Sequence, residues 1–129
     1  IHWAAALPKE LGTPKEGEQP VAFILVCKEA HANPWSDIDA GIAVRNIALN
    51  ACSYGIGSAI LGAVEWNKVT SLLDVPEDWK PRLLMALGYP SCESHIVEVP
   101  ANGSIKYYLD ENKNYCVPKR ALKDICIVK

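Results

Sequence analysis

A long apolar segment followed by closely spaced glycines decides the fold: residues 36–63 read SDIDAGIAVRNIALNACSYGIGSAILGA. Ser36 is a candidate N-cap, and Asp37 and Asp39 carry the negative charge that favours the first turn of a helix. Between residues 38 and 54 the apolar side chains occur almost all round the predicted helix. A helix that is apolar on every face has to be buried on every face, which is easier in a small domain when a second subunit covers one side. The segment therefore predicts a buried helix and gives a first indication of a dimer.

The glycines that follow this helix form the most informative segment for function. Gly55 is placed to end the helix, and Gly57 and Gly62 come shortly after it. Closely spaced glycines let backbone N–H groups approach a flat or anionic ligand. The spacing differs from the dinucleotide-binding fingerprint, and the segment follows a predicted helix instead of a strand. Two interpretations stay open from the residues alone, an ordinary connection between helices and a ligand cradle.

Strands and helices predicted on either side of this segment indicate an α+β fold. Residues 21–27 (VAFILVC) and 82–90 (RLLMALGYP) are apolar runs typical of strands buried on both faces. Helices and strands mix without a βαβ repeat, which favours the α+β class. The other predicted elements are a helix end over residues 1–7, a surface loop over 8–20, a helix from about 65 to 73, a hairpin or an extended pair from 104–109 and 115–117, and a strand over 122–128.

The charge of the chain is low and unevenly distributed. Thirteen Lys and Arg against 15 Asp and Glu give a net charge of −2, which predicts no general attraction to nucleic acid or to anionic lipid. Residues 47–64 are uncharged but are interrupted by glycines, and a broken helix cannot face lipid, so no membrane span is predicted. Near the C-terminus, the adjacent cations Lys119 and Arg120 either clamp a phosphate or are ordinary solvated surface charges.

No set of side chains in the sequence is arranged for catalysis or for metal binding. The five cysteines include no C-x-x-C pair and do not form a disulfide framework, which favours a reducing, cytoplasmic location. Cys92 and His95 have C-x-x-H spacing, but no second pair completes a zinc site. A chain with a ligand cradle and no catalytic side-chain set is typical of a flavoprotein, because the cofactor carries the reaction.

Several short motifs in this order and spacing resemble the FMN-dependent nitroreductase family. The motifs are residues 35–43 (WSDIDAGIA), 46–51 (NIALNA), 54–58 (YGIGS), 87–90 (LGYP) and 117–122 (VPKRAL). The resemblance covers nearly all of the chain. It implies an α+β fold, a nitroreductase-like mixed sheet flanked by helices, in an intertwined homodimer that binds FMN at the subunit interface.

The resemblance also implies a reaction and a set of cofactor-binding residues. In such an oxidoreductase NAD(P)H reduces the flavin, and a nitroaromatic, quinone or similar small-molecule acceptor reoxidises it. Backbone N–H groups would lie near the N5 edge of the flavin, and Lys119 or Arg120 would meet the FMN phosphate. The residues that would lie against the flavin ring are Ile60, Leu61, Gly62 and Ala63.

The sequence departs from the family pattern at its N-terminus. Family members begin with an Arg-Arg-Ser-type phosphate-binding segment, followed by a Pro-Ser/Asn-x-Gln region, and residues 1–129 contain neither. We therefore expect one nitroreductase-like domain over residues 1–129 that lacks this segment, which a separate N-terminal fragment could supply. The alternative function is a truncated, non-catalytic FMN-binding or dimerisation module.

Overall fold

The computed structural model describes residues 1, 3–100 and 103–127, and contacts group the chain into two compact units. The first unit comprises Ile1–Trp3 and Thr13–Pro90, and the second comprises Ala4–Gly12 and Ser91–Lys129. Both units contain helices and strands. The predicted mixture of helix and sheet is therefore confirmed.

Three antiparallel strands form the sheet of the first unit. They are β1 (Ala22–Glu29), β2 (Gly57–Leu61) and β3 (Trp79–Gly88), with β3 between the other two. The consecutive residues 84–86 of β3 are all buried, and successive side chains of a strand point to opposite faces, so both faces of β3 are covered. The sequence also predicted that β1 is buried on both faces, and this prediction is wrong. Phe23 of β1 is 46% exposed, because β1 lies at the edge of this sheet.

The central strand β3 contains a bulge, and its start differs from the predicted one. Val26 pairs with Leu83 and Cys27 pairs with Pro81, so Arg82 is an extra residue without a partner on β1. Proline has no N–H for a sheet ladder and is tolerated within a sheet at such an irregularity. The strand therefore continues through Pro81 to Trp79 and does not begin at Arg82.

The predicted long helix is present as α2 (Ser36–Ser53), which packs across β1, β2 and β3. Ser36 is the first residue of the helix and Trp35 is its N-cap, so the predicted N-cap is wrong. The Ser36 hydroxyl donates to the carbonyl of Asn33 at 2.7 Å. The Asn33 side chain instead accepts the N–H of Trp35 at 2.9 Å. Gly55 follows the helix with a φ of 73°, as expected for a residue that ends a helix. The second predicted helix is α3 (Trp66–Leu72).

The second unit has a small sheet in the order β4-β6-β5. Its strands are β4 (Ser94–Glu98), β5 (Tyr108–Leu109) and β6 (Tyr115–Lys119). Strands β5 and β6 pair antiparallel, which confirms the hairpin, one of the two predicted alternatives. Strand β4 pairs parallel with β6 and was not predicted. Four of its five residues are exposed and Val97 is half-buried, so the strand has no alternating apolar pattern that the sequence could show.

Two one-turn helices lie where other structures were predicted. The first, α1 (Lys9–Gly12), interrupts the predicted loop, and residues 1–7 contain a turn closed by the Leu7 N–H and the Ala4 carbonyl instead of a helix end. The second, α4 (Leu122–Ile125), replaces the predicted strand over 122–128, whose last residue, Val128, lies outside the described residues. A single turn is too short for an apolar period to reveal it.

Among the residues described, no helix combines the length and the hydrophobicity needed to cross a membrane.

Candidate functional site

The three glycines of residues 55–62 differ in backbone conformation and in their surroundings. Gly55 has positive φ at the helix end. A Cβ on Gly57 would meet the Gly88 carbonyl oxygen and Pro90 Cδ, each at 3.4 Å, so this glycine allows close packing of β2 on β3. A Cβ on Gly62 would meet nothing within 4 Å. A Cβ on Gly55 would also meet nothing within 4 Å, so both glycines have open surroundings. Positive φ explains Gly55, whereas neither φ nor packing within the chain requires a glycine at position 62.

The segment between the two helices is not the ordinary helix-to-helix connection that was one of its two interpretations. Most of it is strand β2, an edge strand whose last residue, Leu61, is in register with Leu84. Propensity did not reveal this strand because glycine and serine weaken the strand pattern. The predicted flavin-contacting residues 60–63 thus comprise the end of an edge strand and the two residues that follow it.

Residues 60–63 present an accessible surface that can contact a flat ligand. Ile60 is 51% exposed, and Gly62 and Ala63 are exposed. Outside the ladder between β2 and β3, the N–H groups of Gly62 and Ala63 donate to no other described residue. The Gly62 carbonyl is used, since it accepts the N–H of Val64 at 3.1 Å. This end of β2 combines apolar surface with available backbone donors.

A charged cluster, Lys28, Asp37 and Arg82, links α2 to the sheet of the first unit. One carboxylate oxygen of Asp37 lies 3.0 Å from Lys28 Nζ, and the other lies 2.6 Å from Arg82 Nε. The hydrogen bond from Lys28, together with the charge and hydrogen bond of Arg82, lowers the pKa of the Asp37 carboxyl. The sequence did not predict this cluster, because the three residues lie on different elements and form no local motif.

The predicted phosphate-binding cations lie in the second unit. Lys119 is the last residue of β6, Arg120 follows it, and both are exposed. Glu98 of β4 is the register partner of Lys119, yet neither cation forms an ion pair within the described part of the chain. Both charges are thus available to an anion. They belong to a different unit from residues 60–63.

Among the described residues, Cys27 and Tyr108 have raised pKa values. Burial raises the pKa of the Cys27 thiol, which keeps it protonated and a poor nucleophile. In the second unit His95, Cys116 and Tyr108 are neighbours across the sheet, and the charge of Cys116 is the main cause that raises the pKa of Tyr108. Within the described residues, no group of three or more His, Cys, Asp and Glu is arranged to hold a metal ion.

Comparisons of the sequence identify its family. The model of the nitroreductase family matches residues 5–89, which is more than half of the chain. Over 56 residues the chain is 36% identical to a Bacillus subtilis protein named FMN reductase (NADPH). That alignment covers 42% of this chain and 22% of the relative, so the chain spans about a fifth of the length of this curated relative.

Solved structures show the same fold. A putative NADH dehydrogenase/NAD(P)H nitroreductase from Bacteroides thetaiotaomicron is 27% identical, with a TM-score of 0.53 over 70% of this chain and 54% of that chain. The NfrA1 nitroreductase of B. subtilis is 23% identical, with a TM-score of 0.55 over 75% of this chain and 48% of that chain. The chain thus spans about half the length of these two structures. On the family match over residues 5–89, the chain belongs to the nitroreductase family.

Proposed function

We propose that this protein is an FMN-dependent oxidoreductase that takes electrons from NAD(P)H and passes them to a small-molecule acceptor such as a nitroaromatic or a quinone. The observation that carries the proposal is the open backbone at Gly62, where the family resemblance expects the flavin ring. Membership of the nitroreductase family supports it, as does the similarity to a protein named FMN reductase (NADPH).

The residues present fit FMN in two respects. The exposed Ile60 side chain and the backbone of Gly62 and Ala63 can contact a flat ring and donate hydrogen bonds to its edge. Lys119 and Arg120 can hold a phosphate, since neither has a carboxylate partner among the described residues. FMN, when bound, supplies the redox chemistry, and the chain binds and orients it. We also propose that residues 1–129 form a single nitroreductase-like domain and that the protein is located in the cytoplasm.

An absorbance spectrum of the purified protein with added FMN tests this function. We expect flavin bands that stay with the protein after gel filtration and that bleach when NADPH or NADH is added without oxygen. Return of the bands on addition of a quinone would complete the evidence for turnover. Retained flavin that NAD(P)H does not bleach would favour the non-catalytic FMN-binding module, and a protein that retains no FMN would contradict the proposal.

The double variant Lys119→Ala/Arg120→Ala tests the phosphate contact. We expect weaker FMN binding, since each charge-assisted hydrogen bond contributes about 1.5–3 kcal/mol. Riboflavin, which lacks the phosphate, serves as the matched ligand, and its affinity should not change. A double variant that binds FMN as tightly as the natural sequence would reject these two residues as phosphate ligands.

The outer face of α2 supports the homodimer. Ala40 and Val44 are buried against the sheet, whereas Ile38, Ile42 and Leu49 lie about half a turn away and are 52%, 56% and 52% exposed. These three form an apolar stripe on the opposite side of the helix. We infer that a second copy of the chain covers this stripe, because the apolar residues of the helix exceed what its own sheet can bury.

The variant Ile42→Glu tests the homodimer by placing a charge in the middle of the stripe. We expect a dimer for the natural sequence in sedimentation velocity and a monomer for Ile42→Glu, because a buried unpaired charge is costly. Asn50→Glu adds the same charge on the flank of the same helix and should leave the dimer intact. A monomer for the natural sequence, or a dimer for Ile42→Glu, would contradict the inference.

A further inference from the structure

Arg82 is placed by a backbone irregularity, beside the end of the strand that carries the candidate flavin surface. It is the extra residue of the bulge between β1 and β3. Bulges re-aim a side chain and occur frequently next to active sites. Strand β2 is in register with β3 as far as Leu61 and Leu84, two residues along β3 from Arg82. Two residues of strand span about 7 Å, so the Arg82 backbone lies about 7 Å along β3 from the register partner of Leu61, the last residue of β2.

The guanidinium of Arg82 is oriented but has free donors. Its Nε donates to Asp37 Oδ1 at 2.6 Å, and its side chain is 45% exposed. Within the described residues, its two terminal nitrogens donate to no acceptor. A guanidinium held through Nε keeps its outer nitrogens available for a carboxylate or a phosphate. The contact with Asp37 fixes the direction of the fork in advance.

Within the Lys28–Asp37–Arg82 cluster, cations outnumber acids by one. Asp37 neutralises only one of the two cations that it contacts, Lys28 and Arg82. Lys80 adds a third cation in register with Lys28, and its Nζ donates to the carbonyl of Glu77 at 2.7 Å. The acids on neighbouring residues form no ion pair with Arg82 in the described part of the chain, but their charges offset those of the nearby cations; they are Glu29, Glu77 and Asp78.

We propose that Arg82 binds an anionic group, a carboxylate or a phosphate, on the compound that exchanges electrons with the flavin. It thereby selects anionic donors or acceptors over neutral ones of the same shape. This inference rests on the proposed flavin function. It assigns a specificity role to a residue that the family motifs in the sequence do not include.

Paired substrates test this selection on the whole protein loaded with FMN. The phosphate arm compares kcat/KM for NADPH and NADH, and the carboxylate arm compares 4-nitrobenzoate and 4-nitrobenzyl alcohol. NADPH differs from NADH by one additional phosphate group, and 4-nitrobenzoate differs from its neutral analogue by a carboxylate. In Arg82→Gln we expect the NADPH-to-NADH ratio or the nitrobenzoate-to-alcohol ratio to fall about tenfold, because a charge-assisted hydrogen bond is lost. The arm that changes identifies the anion. A ratio unchanged in both arms would overturn the inference.

Two further variants control for charge and for folding. Lys80→Gln removes a neighbouring cation that is bound to a backbone carbonyl, and both ratios should stay as in the natural sequence. An equal fall in Lys80→Gln would show a general field effect and would overturn the role of Arg82. If Arg82→Gln does not fold, Arg82→Lys keeps the charge and a donor to Asp37 but removes the fork. We expect a smaller fall in the same ratio, and an unchanged ratio would again overturn the inference.

An equilibrium measurement separates this inference from the proposed function. Titration with benzoate and with its neutral analogue benzamide needs no electron transfer. We expect the natural sequence to bind benzoate more tightly, and Arg82→Gln to lose that difference. If NAD(P)H does not reduce the flavin but the benzoate preference depends on Arg82, the proposed function fails and the anion site stands. If benzoate and benzamide bind equally, the anion site fails whatever the enzyme does.

Discussion

The two units of the chain use different means of stabilisation. In the first unit a helix covers a sheet whose central strand is buried, and its buried apolar residues are Ala40, Val44, Leu84, Met85 and Ala86. Among the described residues of the second unit, the buried ones are Gly12, Cys116 and Pro118. Its turn is held by side chains: Asp110 Oδ1 accepts the N–H groups of Asn112 and Asn114 at 2.9 and 2.8 Å.

This difference indicates where each unit is sensitive to change. Burial of apolar area stabilises the first unit, so removal of atoms from its core should be costly. The second unit depends on hydrogen bonds, each of which contributes about 0.5–1.5 kcal/mol, so single changes there should cost less. The four tryptophans all lie in the first unit, and their emission reports the unfolding of that unit alone.

The largest expected effect is that of Met85→Ala. Met85 is fully buried in β3, and removal of its side chain should lower the free energy of unfolding by about 2–5 kcal/mol. Urea unfolding followed by tryptophan emission measures the change. Cys116→Ala, the corresponding change in the second unit, removes a single sulfur atom and should leave the tryptophan transition almost unchanged. A loss below about 1 kcal/mol for Met85→Ala would contradict the assigned core of the first unit.

A smaller effect is expected for Asn114→Ala in the second unit. Its side-chain oxygen accepts the N–H of Glu93 at 3.1 Å, which joins the turn to the start of β4. We expect a loss of about 1 kcal/mol, seen as faster hydrogen exchange of the Tyr115 N–H, which donates to the Glu93 carbonyl. Asn112→Ala is the matched control, because only the backbone of Asn112 contributes to this turn. Equal exchange rates in the two variants would show that the side chain of Asn114 does not hold the turn.

The smallest effect concerns acid stability and the Lys28–Asp37–Arg82 cluster. The pKa of Asp37 is lowered in the folded protein, so the unfolded chain binds protons more readily as the pH falls. The stabilisation from this carboxylate is therefore present above about pH 4 and is lost as the pH falls through the folded pKa. Asp37→Asn should flatten the fall in urea midpoint between pH 7 and pH 3, and the exposed Asp39→Asn should not. The effect is small because the ion pairs are partly exposed.

The sequence predicted the first unit better than the second for a physical reason. Continuous apolar runs gave β1 and β3, and an apolar segment with acids in its first turn gave α2. Strand β4 was missed because its pairing with β6 is parallel and joins residues about 20 positions apart, so no local pattern marks it. The predicted strand near the C-terminus is the short helix α4 instead, because apolar alternation does not separate a strand from one helical turn.

The candidate site could be predicted in part. The glycine spacing indicated the segment that contains Gly62, although it did not separate this open glycine from Gly55 and Gly57, which serve the fold. Arg82 could not be predicted as a site residue, because its placement depends on a bulge and on a partner, Asp37, that is 45 residues away. Such placement follows from tertiary pairing and not from local sequence.

The measurement that tests the central claim most directly is the dissociation constant of FMN for Gly62→Leu. The new side chain meets no atom of the chain within 4 Å of its Cβ, so folding should be preserved while the flavin surface is filled. Ser58→Leu, an exposed position earlier on the same strand, is the matched control. We predict at least a tenfold loss of FMN affinity for Gly62→Leu, about 1.4 kcal/mol, and no change for Ser58→Leu. Gly62→Leu that binds FMN as tightly as the natural sequence would contradict the proposed site.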